Sequence, residues 1–139
     1  MKVLPPLKKV LIIGGGGREN ALAWAIAKLE KIEKIFVAPG NGGTENHLRC
    51  KRLEIAESNI EQIRTACKSL DIDLIVIGGE KPLALGLADK LRNDGLAVFG
   101  PGKDGAQLEA SKNWAKKLMK EAGIPTAKYW SAKSKNEAE

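Results

Sequence analysis

Aromatic residues are scarce in this chain of 139 residues: they make up 4% of it. Proteins that bind single-stranded nucleic acid stack bases on aromatic side chains. The basic residues are also scattered rather than grouped, apart from a lysine cluster at 112–120 that is typical of a solvated helix face. We therefore expect no specific nucleic-acid binding. The net charge of +6 fits an anionic ligand or a weak, nonspecific attraction to nucleic acid.

Cysteine and histidine are nearly absent as well. Cys50 and Cys67 do not have the spacing of a metal site, so we expect two reduced thiols rather than a disulfide or a metal centre. The single histidine, His47, has no second metal ligand nearby in the sequence, and we expect it in an exposed loop.

Long apolar runs are missing too. No segment approaches the ~20 residues that a membrane span requires, and residues 1–7 are too short and too interrupted by proline for a signal peptide. We expect a cytoplasmic protein that does not contact membranes. With 43% hydrophobic and 29% charged residues, the chain is predicted to fold as one globular domain.

Glycine is abundant at one informative place. Four glycines at 14–17 follow the apolar run 10–13 and precede a helix-forming stretch. A strand, a glycine turn and a helix form a phosphate cradle, because glycine lets the backbone approach an anion and a helix N-terminus offers free N–H groups. We expect a phosphate on the N–H groups of Gly15, Gly16 and Gly17.

The same loop differs from the dinucleotide fingerprint G-x-G-x-x-G. Glu19 stands where the third glycine belongs. The second strand ends in another glycine loop, at 39–43, rather than in the acidic residue that would hold a ribose. The sequence therefore argues against NAD(P) binding.

Strand-like and helix-like segments alternate, which predicts parallel βαβ units in a Rossmann-like, doubly wound α/β sheet. The expected strands lie near 9–13, 34–38, 50–55, 73–77 and 97–99, and the expected helices near 19–30, 58–70, 83–94 and 104–122. Ser58 is the expected N-cap of the second helix, and Gly95 the left-handed residue after the third. Trp24 is expected in the core.

These elements predict an N-terminal arm at 1–8, a substrate-binding domain at 9–125, and the start of a linker or further domain at 126–139. Glycine loops follow four strands, at 14–19, 39–43, 78–82 and 100–102. Ligands of doubly wound sheets bind beyond the carboxyl ends of the strands. We therefore expect the four loops to converge on one crevice.

Side chains around that crevice leave alternatives open. Arg18 either pairs with Glu19 or another loop carboxylate, or faces the anion, which suits a guanidinium. Glu19 is favoured in a first helical turn by the helix dipole, and contact with a ligand is an equal alternative. Asn41 either forms the turn or binds the ligand. Glu80, just after a buried strand, is expected to accept hydrogen bonds from ligand hydroxyl or amine groups.

The segments VLIIGGGGRE, VAPGNGGT, IVIGGEKPLALGLADKL and VFGPGKDGAQLEASKNWAKKLMKEAGIPTAKY together resemble the N-terminal region of the phosphoribosylamine–glycine ligase family. This resemblance implies a Rossmann-like domain that precedes an ATP-grasp module. The family's enzymes join glycine to phosphoribosylamine in de novo purine biosynthesis, using ATP and Mg²⁺ or Mn²⁺.

The resemblance also implies roles for individual residues. Three loops would hold phosphoribosylamine or another ribose phosphate through Gly15, Gly16, Gly17, Arg18, Glu19, Asn41, Gly42, Glu80 and Pro82. Lys112 matches a lysine that approaches the ATP phosphates. The chain departs from the family pattern at two positions: Asn20 replaces a histidine after G-R-E, and Gly79 replaces a proline in G-P-E.

The enzymes of this family are much longer, and the resemblance places their ATP-grasp module outside these 139 residues. ATP-dependent ligation needs metal and phosphate clamps around the transferred group. We therefore expect no catalytic residue in this chain, no catalysis by it alone, and no strong binding of ATP or metal. It is either part of the ligase, with the remaining enzyme domains as partners, or a stand-alone ribose-phosphate-binding module without enzymatic activity.

Overall fold

The computed structural model describes residues 6–139, so residues 1–5 of the expected N-terminal arm lie outside it. The strands are β1 (Lys9–Gly14), β2 (Lys34–Pro39), β3 (Cys50–Arg52), β4 (Leu74–Ile77) and β5 (Val98–Phe99). The helices are α1 (Gly17–Ala27), α2 (Ile60–Ser69), α3 (Glu80–Ala84), α4 (Leu87–Asn93), α5 (Lys103–Ala110), α6 (Lys112–Glu121) and α7 (Lys135–Ala138), with a 3₁₀ turn at Thr44–Asn46.

The five strands form one parallel sheet in the order β3-β2-β1-β4-β5. Central strand β1 pairs with β2 on one side and β4 on the other, so that Ile12 lies between Val37 and Val76. The chain runs outward from β1 in one direction, then returns to β4 and runs outward in the other. The gap between β1 and β4 is therefore the topological switch point, and the predicted doubly wound α/β sheet is confirmed.

Helices pack on both faces of the sheet. Helices α2 to α5 cover one face, and their buried residues form one core cluster with the inward side chains of β1, β2 and β4. On the opposite face, α1 packs through Ala23 and Ala27 against the other side chains of β1 and β2. Because both faces are covered, these strands consist of continuous apolar runs rather than alternating ones.

The prediction that Trp24 packs in the core is wrong. Trp24 is 52% exposed, and the ammonium of Lys28 lies 3.2 Å from the centre of its ring. The side of α1 that faces the sheet carries the small residues Ala23 and Ala27. These residues let the helix backbone approach the strands, which leaves the larger Trp24 side chain on the outer surface.

Two predicted helices are interrupted. The expected helix at 83–94 consists of α3 and α4, because Gly86 takes a left-handed conformation with φ of 79°. The expected helix at 104–122 is divided at Ser111, whose backbone is extended and whose hydroxyl caps α6 by accepting from the Trp114 N–H. In both segments the apolar residues continue at helical spacing through the interruption, so their pattern does not predict where the helix breaks.

The helix ends test two predicted caps. Asn59, not Ser58, caps α2, since its side-chain oxygen accepts from the Gln62 N–H at 3.1 Å. Gly95 has φ of 81° after α4, which confirms the predicted left-handed residue. Among residues 6–139, no helix is long and apolar enough to cross a membrane.

Candidate functional site

The loops after β1, β2 and β4 lie at the carboxyl edge of the sheet, and side chains connect them. Asn41, from the loop after β2, donates through Nδ2 to the carbonyls of Gly15 and Gly16 at 3.1 and 3.2 Å. Its Oδ1 accepts from the Gly43 N–H at 2.9 Å. Of the two alternatives for Asn41, the structure shows the turn role, and it adds that Asn41 holds the first glycine loop in place.

Arg18 and Glu80 face each other across the switch point. Arg18 Nη1 donates to the Gly78 carbonyl at 2.7 Å and lies 3.6 Å from Oε1 of Glu80. Arg18 thus pairs with a loop carboxylate, but not with Glu19. Both side chains are at least half exposed, at 60% and 50%. Exposed ion pairs contribute about 0–1 kcal/mol, so an anionic ligand can separate this one at little cost.

Glu19 turns back under the glycine loop and is buried, with 5% exposure. Its Oε2 accepts from the Gly16 N–H at 2.7 Å, so this amide already has an acceptor. A methyl group on Gly14 would lie 2.5 Å from Glu19 Cγ, and one on Gly78 would lie 2.1 Å from Oε1. These two glycines therefore make room for the Glu19 side chain.

Two glycines at this edge have no such explanation. A methyl group on Gly17 or Gly42 would meet no atom within 4 Å, and neither residue has a positive φ. Each of the other 13 glycines has a positive φ or a near neighbour at that position. Gly17 also begins α1, where its N–H has no intrahelical acceptor. The fold thus leaves open space and a free donor at this place.

The loop at 100–102 does not offer an equivalent site. The Asp89 carboxylate of α4 accepts from the Lys103 N–H at 2.7 Å and so takes the anion position at the start of α5. Arg92 donates to the carbonyls of Val98 and Gly100. Side chains of α4 therefore already bond to this loop, and the expectation that all four loops form one crevice stays a prediction.

The remaining candidates, Pro82 and Lys112, lie on helices that follow, and Glu80 begins the first of these helices. Pro82, inside this helix, α3, is fully buried. Lys112 is the exposed first residue of α6. In the described part of the chain, no group of three His, Cys, Asp or Glu side chains is arranged to hold a metal ion.

Sequence reasoning missed two contacts near the site. Thr44, which is fully buried, accepts through its hydroxyl from the Asn41 N–H at 2.9 Å. His47 is half-buried rather than exposed, and its Nε2 lies 3.1 Å from Oδ1 of Asn20. The contact spans 27 residues along the chain, and only the departure of Asn20 from the family pattern drew attention to this position.

Gly79, the second departure from the family pattern, is the N-cap of α3 with φ of −85° and ψ of 140°. That conformation lies close to the one that proline imposes. The loop thus keeps a geometry that either residue can adopt.

The fold and this edge define a class of protein: a doubly wound parallel α/β domain whose first two carboxyl-edge loops are rich in glycine. Residues 8–109 match the family model described as phosphoribosylglycinamide synthetase, N domain. The chain belongs to this family, which confirms the resemblance found in the sequence.

Curated relatives agree with this assignment. The chain is 51% identical over 120 residues to the phosphoribosylamine–glycine ligase of a Nostoc species, and 46% identical over 121 residues to that of Clostridium acetobutylicum. These matches cover 86% and 87% of this chain but 28% and 29% of the relatives. The biotin carboxylase subunit of pyruvate carboxylase superposes with a TM-score of 0.64 at 18% identity, over 95% of this chain and 32% of that chain; this likeness concerns the fold alone.

Proposed function

We propose that this chain is the N-terminal, substrate-binding portion of a phosphoribosylamine–glycine ligase of purine biosynthesis. Its family and its 42–51% identity to curated ligases support the proposal. The observation that carries the binding role is the pair Gly17, at the start of α1, and Gly42, in the loop after β2, since neither backbone conformation nor packing requires glycine at these positions. A ligand that occupies the space beside them would account for both.

The ligand phosphate lies on the N–H groups of Gly17 and Arg18, at the start of α1. These donors are free in a first helical turn, and the helix dipole favours an anion there. Gly16 does not take part through its N–H, because that group donates to Glu19. Gly15 and Asn41 set the shape of the loop through their hydrogen bond.

The Arg18–Glu80 pair supplies the polar contacts. The Arg18 guanidinium turns from Glu80 to the phosphate, because its planar set of N–H donors matches the geometry of phosphate oxygens. The Glu80 carboxylate is then free to accept from a ribose hydroxyl or from the amine of phosphoribosylamine. Because the pair is exposed, this exchange costs little.

Catalysis belongs to the complete enzyme in this proposal. The curated ligases are more than three times as long as the matched segment, and their remaining domains would supply ATP and metal binding, with Mg²⁺ or Mn²⁺ as the metal. Lys112, exposed at the start of α6, would approach the ATP phosphates from this side. We place the protein in the cytoplasm, where its two free thiols stay reduced.

Calorimetry with ribose 5-phosphate, glycinamide ribonucleotide and NAD tests the binding role. Gly17→Val should weaken both ribose phosphates about tenfold or more, because the side chain fills the open space and hinders approach to the backbone. Ala25→Val adds the same side-chain type at an exposed position further along α1 and should change neither affinity. Glu80→Gln should mainly weaken glycinamide ribonucleotide, which carries the amine.

Two results would overturn this assignment. One is tighter binding of NAD than of either ribose phosphate. The other is an unchanged ribose phosphate affinity in a Gly17→Val protein whose circular dichroism and unfolding midpoint match those of the parent chain.

A further inference from the structure

Glu19 occupies a place that a dinucleotide-binding loop leaves empty. It stands at the third glycine position of G-x-G-x-x-G, and its side chain folds back under the loop rather than outward. The residue is 5% exposed. A buried carboxylate is costly unless hydrogen bonds compensate it, and here the Gly16 N–H donates to it at 2.7 Å.

The glycines around Glu19 belong to both sides of the switch point. Gly14 ends β1, whereas Gly78 follows β4, and a methyl group on either would overlap the Glu19 side chain. Ligands of doubly wound sheets enter between two such diverging loops. The Glu19 carboxylate therefore fills the deep part of this crevice.

The same carboxylate also accepts a hydrogen bond from a backbone N–H group of the loop. In phosphate-binding glycine loops, N–H groups such as that of Gly16 point at the anion. Here that donor points at Glu19. The Arg18 guanidinium donates to the Gly78 carbonyl rather than to Glu19, so a second phosphate that entered the loop would meet a negative charge.

We propose that Glu19 is a specificity-determining residue: its carboxylate acts as a built-in anion in the glycine loop, so the edge accepts one phosphate at Gly17 and Arg18 and excludes a pyrophosphate. The single-phosphate half of this statement rests on the proposed function. The exclusion of pyrophosphate rests on the geometry of Glu19, Gly16 and Gly78 alone.

Inorganic pyrophosphate and inorganic phosphate are the probes, with affinities measured by calorimetry on the full chain. Glu19→Ala empties the crevice and frees the Gly16 N–H, so it should bind pyrophosphate about tenfold or more tightly than the parent, as charge-assisted hydrogen bonds form. Glu19→Gln keeps the size and one acceptor oxygen but removes the charge. It should bind pyrophosphate several-fold more tightly than the parent but less tightly than Glu19→Ala, because the uncharged side chain still occupies the crevice.

Glu109→Ala is the matched control, since it removes one negative charge from an exposed position in α5. An equal gain in pyrophosphate affinity in this control would assign the effect to net charge and overturn the proposal. So would a folded Glu19→Ala protein that binds pyrophosphate no better than the parent. If Glu19→Ala does not fold, Glu19→Gln decides: a pyrophosphate affinity equal to that of the parent contradicts the proposal.

The outcome for Glu19 is separable from that for the proposed function. A parent chain that does not bind ribose 5-phosphate would overturn the proposed function. A gain of pyrophosphate binding in Glu19→Ala would still support the role of Glu19.

Discussion

Single glycines have two different roles at the carboxyl edge. Gly14 and Gly78 accommodate the Glu19 side chain, and a methyl group on Gly15 would lie 2.9 Å from the Gly40 carbonyl oxygen. At this edge, Gly17 and Gly42 differ: a methyl group on either would meet no atom within 4 Å, and we propose that a ligand occupies this space. The sequence predicted the glycine loop and its place after the first strand, but the division of roles depends on where Glu19 turns and on a loop 60 residues away.

The contacts of Arg18, Asn41 and His47 also involve residues that are distant along the chain, and local sequence patterns do not predict them. The sequence motifs identified Arg18 and Asn41 as polar groups of the carboxyl edge but did not predict which residues they contact. Those partners, Gly78 and Gly15, lie 60 and 26 residues away along the chain. Such pairings follow from the strand order of the sheet, which a local pattern does not contain.

The two thiols give a prediction at this scale. Burial raises the pKa of Cys67 to about 11, with a further contribution from the charge of Asp94, and burial also raises the pKa of half-buried Cys50. Because the thiolate is the reactive form, both should react with iodoacetamide at pH 8 more slowly than a free thiol, and Cys67 most slowly. Peptide mass spectrometry over time measures this.

In denaturant the two cysteines should react at similar rates. This control shows that the difference in the folded protein comes from burial and not from the neighbouring residues in the sequence. Equal and rapid labelling of Cys67 and Cys50 in the folded protein would contradict the assigned burial.

At the scale of elements, the strands were predictable and the helix interruptions were not. The expected strands at 9–13, 34–38 and 73–77 agree with β1, β2 and β4 to within one residue at each end, because continuous apolar runs mark strands covered on both faces. The breaks at Gly86 and Ser111 depend on how the following helix packs. Asp89, for example, reaches from α4 to cap α5.

Gly86 provides a stability test of the first break. Its φ of 79° costs a residue with a side chain about 1–2 kcal/mol, while the nearest atoms to an added methyl group lie 3.7 Å away, so the cost is conformational rather than steric. Gly86→Ala should lower the free energy of unfolding by about this amount. Urea titration measures it.

Gly42→Ala is the matched control for the same chemical change. It has neither a positive φ nor a near neighbour, so its free energy of unfolding should stay close to that of the parent. Equal stability of the Gly86→Ala and Gly42→Ala proteins would refute the left-handed break between α3 and α4.

The ion pair between α2 and the end of α4 predicts a pH dependence. Arg64 Nη2 donates to Asp94 Oδ1 at 2.7 Å, and this hydrogen bond lowers the pKa of Asp94 from its ordinary value of 3.8. A lowered pKa in the folded state stabilises the fold above pH 3.8, and this contribution is lost as the pH falls through the folded-state pKa.

Asp94→Asn should therefore destabilise the protein at pH 7, and its difference from the parent should shrink as the pH falls below 3.8. Urea titrations of both proteins at several pH values provide the comparison. A difference that stays constant down to the lowest pH at which both proteins fold would show that Asp94 does not act through its charge.

On the scale of the whole molecule, the two faces of the sheet are covered unequally. Helices α2 to α5 pack on one face, whereas α1 alone forms the described core of the other. Phe99 of edge strand β5 is 71% exposed. The chain also spans 28% of the length of the Nostoc ligase. The function we propose accordingly assigns ligation to the complete enzyme and substrate binding to this part.

That division predicts an inactive isolated chain. A coupled assay should find no ATP hydrolysis that depends on glycine and phosphoribosylamine together, because the chain spans 28% of the Nostoc ligase and our proposal assigns ATP and metal binding to the remaining domains. A full-length ligase under the same conditions serves as the positive control. Metal-dependent turnover by the purified 139-residue chain above the buffer blank would contradict this prediction.

The most direct test of the central claim is a titration of ¹⁵N-labelled protein with ribose 5-phosphate, followed by amide chemical shifts. The account predicts saturable changes centred on Gly17, Arg18 and Gly42, with smaller ones at Glu80. The amide chemical shifts of α2, which packs on the face of the sheet opposite α1, should stay unchanged. Saturable changes centred elsewhere, for example on the open groove between Trp24 and His47, or none at the glycine edge, would contradict the account.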